Sequence, residues 1–134
     1  MRLTINHQDA DITSATDLSV YWDIVRNQQF SEVWLETGED GPSLMMLVHG
    51  ENAMLMYLPD QEGSLGFTSR NPAYDGSPDA SIEFMLANRQ SDEYPAAWAV
   101  SLTAGCAACE DFVETHGGLS SLLTWHDDNG AEAE

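Results

Sequence analysis

The most regular pattern in the chain is helical: Leu18, Tyr21, Trp22 and Val25 fall at i, i+3, i+4 and i+7, the spacing of one buried stripe. Ser14 or Thr16 caps this helix, and Asp17 places a carboxylate where the helix dipole favours it. Upstream, Leu3 and Ile5 alternate with polar neighbours as a short strand. Downstream, Phe30 to Thr37 has period two, with Val33 and Leu35 opposing Trp34 and Glu36, and the run Gly38 to Pro42 turns the chain. Two apolar segments, Leu44 to His49 and Ala53 to Leu58, then meet at His49-Gly50-Glu51-Asn52 as a hairpin. Both are apolar on both faces, so the hairpin is expected at the centre of a sheet, with helices on one side and a further layer over part of the other.

A polar loop from Pro59 to Gly63 precedes a short strand over Leu65 to Ser69, and a Gly/Pro/Asn/Asp loop from Arg70 to Pro78 presents Tyr74. Ile82, Phe84 and Leu86 alternate inward over Ser81 to Asn88, Ser91 to Pro95 breaks that pattern, and Trp98 to Leu102 is a brief strand or a helix lead-in. A second helix is predicted over Thr103 to His116, with Cys109, Phe112, Val113 and His116 on one stripe and Gly117-Gly118 as its stop. Leu122, Leu123 and Trp125 make a last strand. The order predicts an α+β domain: an antiparallel or mixed sheet of about five to six strands with two packed helices. One domain is expected over 1–126, with 127–134 an acidic flexible tail.

Charge changes the picture. Twenty-three Asp and Glu stand against four Arg (Arg2, Arg26, Arg70, Arg89) and no Lys, a formal charge of -19. A phosphate backbone is bound by neutralising it, so nucleic acid and anionic membrane are excluded as partners. The same field keeps the chain soluble and speeds its encounter with a basic protein. Composition alone is equally compatible with salt adaptation as the cause of the acidity. The polar start and the short longest apolar run, Ala53 to Leu58, predict a cytoplasmic protein without a signal region. Two cysteines three apart do not make a disulfide framework.

One constellation resembles enzymatic chemistry. Zinc deaminases use H-x-E and P-C-x-x-C, one His and two thiolates holding the metal and the Glu moving a proton; here stand His49-Gly50-Glu51 and Cys106-Ala107-Ala108-Cys109. His49 and Glu51 fall in a turn rather than on a helix, and Gly105 replaces the proline. A redox pair is the other chemical use of the cysteines. Packing of small residues beside Phe112 explains them more simply, and no metal or other cofactor is expected. No phosphate loop or G-x-S-x-G serine is present.

Taken in order, several segments resemble an immunity-protein family of bacterial polymorphic toxin systems, best known for neutralising deaminase toxins. They are Val33-Trp34-Leu35-Glu36, the hairpin around Gly50 ending at Tyr57, Gly66-Phe67-Thr68-Ser69, Asp92-Glu93-Tyr94-Pro95, Phe112-Val113-Glu114-Thr115 and Trp125-His126-Asp127. Trp34, Gly50, Tyr57, Gly66, Phe67, Ser69, Phe112 and Trp125 are the structural positions of that pattern. The resemblance implies a non-catalytic inhibitor, monomeric or weakly homodimeric, whose partner is a cognate toxin with a basic surface. Its expected toxin contacts are Glu36, Glu39, Asp40, Asp60, Glu62, Asp75 and Asp79, with Tyr74 as an anchor. The alternatives are a zinc- or thiol-dependent enzyme built on His49, Glu51, Cys106 and Cys109, and a general acidic mimic of nucleic acid.

Overall fold

The computed structural model describes residues 1–38, 41–59 and 65–128. Among them the strands are β1 (Arg2–Ile5), β2 (Gln8–Asp11), β3 (Phe30–Glu36), β4 (Ser43–His49), β5 (Asn52–Leu58), β6 (Phe67–Arg70), β7 (Ser81–Met85), β8 (Ser91–Pro95), β9 (Val100–Ser101) and β10 (Thr124–Asp127). The helices are α1 (Ser19–Arg26) and α2 (Leu102–Glu114). The main sheet is antiparallel in the order β10-β6-β5-β4-β3-β1-β2, with β9 added to β5, and β7 pairs with β8 in a separate two-stranded sheet. The fold is therefore α+β with two helices, but the main sheet has eight strands among the described residues, more than the five to six expected.

The apolar hairpin β4–β5 lies at the centre because each strand has two faces to bury. Leu44, Met46 and Val48 turn toward the helices, while Met45 and Leu47 turn toward the β7–β8 sheet. Ile82 and Leu86 pack beside buried Phe84 in that second layer, so the inward alternation of this segment was legible. The two additional strands were not. In β2, Gln-Asp-Ala-Asp has no apolar face, and β8 is Ser-Asp-Glu-Tyr-Pro rather than the break expected there. Both sit at sheet edges; β2 has no buried face, and β8 alternates in burial but turns the polar Asp92 inward beside Tyr94, which hides the period in the sequence.

On the helix side, a 3-10 turn (Ala15–Leu18) leads into α1 with Ser14 as its cap. Asp17 accepts the Thr13 and Ser14 backbone N–H groups at 3.0 and 3.1 Å, and these hydrogen bonds hold its carboxyl below the ordinary carboxylate value. The α2 helix is capped by Ser101, whose Oγ accepts the Ala104 N–H at 3.1 Å. Gly105 lets α2 press onto the hairpin, since a Cβ there would stand 2.8 Å from Met46 Sδ. The helix stops where His116 and Gly117 take positive φ and the Gly117 N–H bonds the Phe112 carbonyl at 2.9 Å. His116 is exposed there: the turn takes it off the buried stripe that was expected to include it.

The last strand also differs at its boundaries. Leu122 is exposed before it, and Asp127 lies within it, opposite Phe67. Asp128 follows it, bonding the Gly66 carbonyl through its N–H and His126 Nδ1 through its carboxylate at 2.8 Å. β10 and its contacts thus include Asp127 and Asp128, and residues 129–134 of the expected tail lie outside the described residues.

Candidate functional site

The aromatic and glycine positions singled out in the sequence lie in the core, in turns and at close backbone approaches. Tyr57 packs against Phe67 and Phe112, and its hydroxyl donates to the Gly117 carbonyl at 2.7 Å. Gly66 has φ +84°, and a Cβ would stand 2.4 Å from the Tyr57 carbonyl oxygen, so only glycine fits beside β5. Gly50 has φ +61° in the two-residue β4–β5 turn. Ser69 is fully buried: its Oγ accepts the Leu55 N–H at 3.0 Å and donates to the Trp98 carbonyl at 2.8 Å. Trp34 donates to Glu32 at 3.2 Å, the same carboxylate receives the Ala87 N–H at 2.9 Å, and Trp125 donates to the Ser120 carbonyl at 2.8 Å.

The His/Glu/Cys constellation is not assembled. His49 follows Met45 and Leu47 in the β4 alternation and points to the β7 side, where its Nδ1–H donates to the Glu83 carbonyl at 2.8 Å and its ring lies 4.4 Å from that of Phe30. Cys106 and Cys109 belong to the helix-side core, across the sheet. Glu51 is exposed in the turn. Burial pushes the Cys106 thiol up to about 11 and raises the Cys109 thiol well above its ordinary value, opposite to the lowering that a nucleophilic thiol or a metal-binding thiolate uses. Among the described residues no group of three or more His, Cys, Asp and Glu side chains is placed to hold a metal.

Of the expected toxin-contact residues, the structure describes Glu36, Tyr74, Asp75 and Asp79, and it places Glu36 at one end of the sheet and the other three at the opposite end. Glu36 sits at the end of β3, where Arg2 Nη2 donates to it at 2.8 Å. Tyr74, Asp75 and Asp79 lie in the loop that leaves the other end of β6. Tyr74 is half-buried within that loop, its hydroxyl donating to the Ser77 carbonyl at 2.6 Å, while Asp75 and Asp79 are exposed. Glu39, Asp40, Asp60 and Glu62 lie outside the described residues.

The structure adds an acidic surface that the sequence did not single out. With Ile82, Phe84 and Tyr94 turned inward, Glu83 and Glu93 are exposed directly opposite each other on the outer face of β7–β8. Adjacent like charges across a strand pair destabilise a sheet. Ser91 and Ser81 each donate a hydroxyl hydrogen bond to one member of the pair, at 2.5 and 2.8 Å. The loop with Asp75 and Asp79 runs straight into this sheet, and the Ala96 N–H bonds Ala80 at its start. The inward alternation of Ile82 and Phe84 was the available signal for Glu83; Glu93 needed β8, which the sequence concealed.

Two of the four arginines are engaged elsewhere, while Arg89 lies in the β7–β8 turn. Arg2 is held by Glu36, and Arg70 lies 4.0 Å over the Trp98 ring while donating to Thr68 and Ser69. Among the described residues, no helix is long and apolar enough to cross a membrane.

No curated protein matches the sequence. The family model described as immunity protein Imm1 matches residues 6–127, from the β1–β2 turn through the last strand. This match covers nearly the whole chain, and the protein belongs to the Imm1 family of immunity proteins of polymorphic toxin systems.

Proposed function

We propose that this protein is a non-catalytic inhibitor that binds a cognate bacterial toxin, a nucleic-acid deaminase, and neutralises it by occluding its basic substrate groove. Family membership over residues 6–127 carries the proposal. The charge of -19 supports the choice of partner, because a groove that takes nucleic acid is basic and an acidic protein is steered into it. The paired Glu83 and Glu93, with Asp75 and Asp79 on the adjoining loop, supply carboxylates already facing outward. Affinity then comes from a few desolvated contacts in an interface of about 1,600 Å² in total.

Co-expression with the toxin encoded beside it tests this reading. Restored growth and a complex that elutes together at moderate salt are expected; failure of both removes the cognate pairing. A general mimic of nucleic acid would instead inhibit unrelated nucleases and lose that inhibition as salt rises.

A further inference from the structure

The outer strand β2 is an edge with a mainly apolar groove beside it. Among the described residues no strand pairs with its outer side. Met1 and Ile12 exchange two backbone hydrogen bonds, of 2.8 and 3.1 Å, so the alternation of the ladder gives Ala10 and Gln8 the bonds to β1. Asp9 and Asp11 consequently direct their backbone N–H and C=O groups outward. The groove, of about 320 Å³, runs between this hairpin and α1; its apolar lining is Leu3, Ile5, Ala10, Tyr21 and Ile24, and Asn6, Gln8, Asp9 and Gln28 complete it. Ile24 is 46% exposed, and Val20, one helical turn before it, is 63% exposed.

From this arrangement we infer that β2 receives an extended segment of the toxin as an additional strand, one that alternates basic with apolar side chains. The inference rests on the immunity role and locates its contact. Leu3 and Ile5 put their face of β1 toward the helices, and their cross-strand partners Ala10 and Gln8 share it. Every second side chain of an added strand therefore enters the groove beneath α1, and an apolar residue fits there. The intervening side chains fall beside Asp9 and Asp11 on the opposite face, where Lys or Arg fits on the side away from Arg2, the cross-strand partner of Asp11 that is itself held by Glu36. A second copy of this chain does not: an antiparallel, hydrogen-bonded pairing within β2 needs residues with outward backbone groups on both sides, which places Asp opposite Asp. The two aspartates thus block self-pairing at an edge that remains open to a basic strand.

The test uses the whole protein with a seven-residue peptide alternating Lys and Val, followed by amide chemical shifts, and then the co-expressed toxin. Peptide-induced shifts centred on Asp9, Asp11 and Ile24 are expected, and a peptide of the same composition with Lys and Val in separate blocks should bind at least about tenfold more weakly. Asp9→Pro removes an outward N–H without touching the β1 ladder, and Asp9→Lys with Asp11→Lys reverses the charge; each should weaken binding by about tenfold or more. Unchanged shifts elsewhere verify the fold of these variants. Absence of peptide binding, binding at another surface, equal binding of the block peptide, equal binding by the variants, or a wild-type dimer through β2 overturns the inference. In the toxin arm, wild type that holds the toxin while Asp9→Pro loses it supports the inference. Equal capture by both overturns the edge contact and leaves neutralisation intact. If wild type holds no toxin, the cognate pairing itself fails and the peptide result decides the edge.

Discussion

The two faces of the central sheet are built differently. Among the described residues, twenty-one buried residues form one cluster toward the helices, whereas the β7–β8 side buries only Met45, Leu47, Met54 and Phe84. On the helix side, Trp22 ties α1 to α2 through Glu110 at 3.0 Å and the core closes around Phe112. The other side is thin, edged by half-buried Trp34, Tyr94 and Trp98, and shows paired glutamates to solvent. Hydrophobic stabilisation follows buried apolar area. The helix side therefore supplies most of the stability, and the thin side is free to present charge.

The largest expected effect tests that division directly. Phe112→Ala removes a fully buried ring at the junction of α2 with β5 and should cost about 3–5 kcal/mol, read by denaturant unfolding. Phe84→Ala removes an equally buried ring from the small cluster. Its global cost should fall to about 3 kcal/mol or less, with hydrogen exchange accelerated first in β7 and β8, because that sheet can open on its own. Equal global losses from the two variants would break the comparison.

Ser69→Ala probes the connection between the layers. The hydroxyl serves both the Leu55 N–H and the carbonyl of Trp98, whose ring joins the thin cluster, and the variant leaves two main-chain groups without it. A loss of about 1–3 kcal/mol is expected, with Trp98 fluorescence changing alongside it. A loss well below that range would mean the two layers are joined elsewhere.

What was legible in the sequence follows from the same asymmetry. Leu18, Trp22 and Val25 show their helical period because one face meets a continuous core, and β4 and β5 are apolar throughout because two cores meet there. β2 and β8 escaped because edge strands satisfy half their backbone in solvent and tolerate polar side chains even on an inward face, as Asp92 beside Tyr94 shows. The one local signal for β2 was Asn6-His7, which takes positive φ at both turn positions. The acidic character was plain from composition, but its placement was not: Glu36 and the Tyr74 loop prove to lie at different ends of the sheet, and the Glu83–Glu93 pair exists only once β8 is folded.

The smallest expected effect separates stability from partner binding. Glu93→Gln removes one charge of the facing pair, and the amide oxygen can still accept the Ser81 hydroxyl that now reaches Glu93 at 2.8 Å. Relief of cross-strand repulsion should raise unfolding free energy by ~0.2–1 kcal/mol, and the gain should shrink as salt screens the pair. If the outer face steers a basic toxin, the same substitution should slow association while leaving dissociation nearly unchanged, because exposed charge acts on encounter more than on the docked state. Opposite signs for folding and for association would mark Glu93 as a charge kept at the expense of the sheet for the sake of the partner. A variant that is more stable and associates at the wild-type rate would assign this face no part in recognition and leave the β2 edge as the surface to follow.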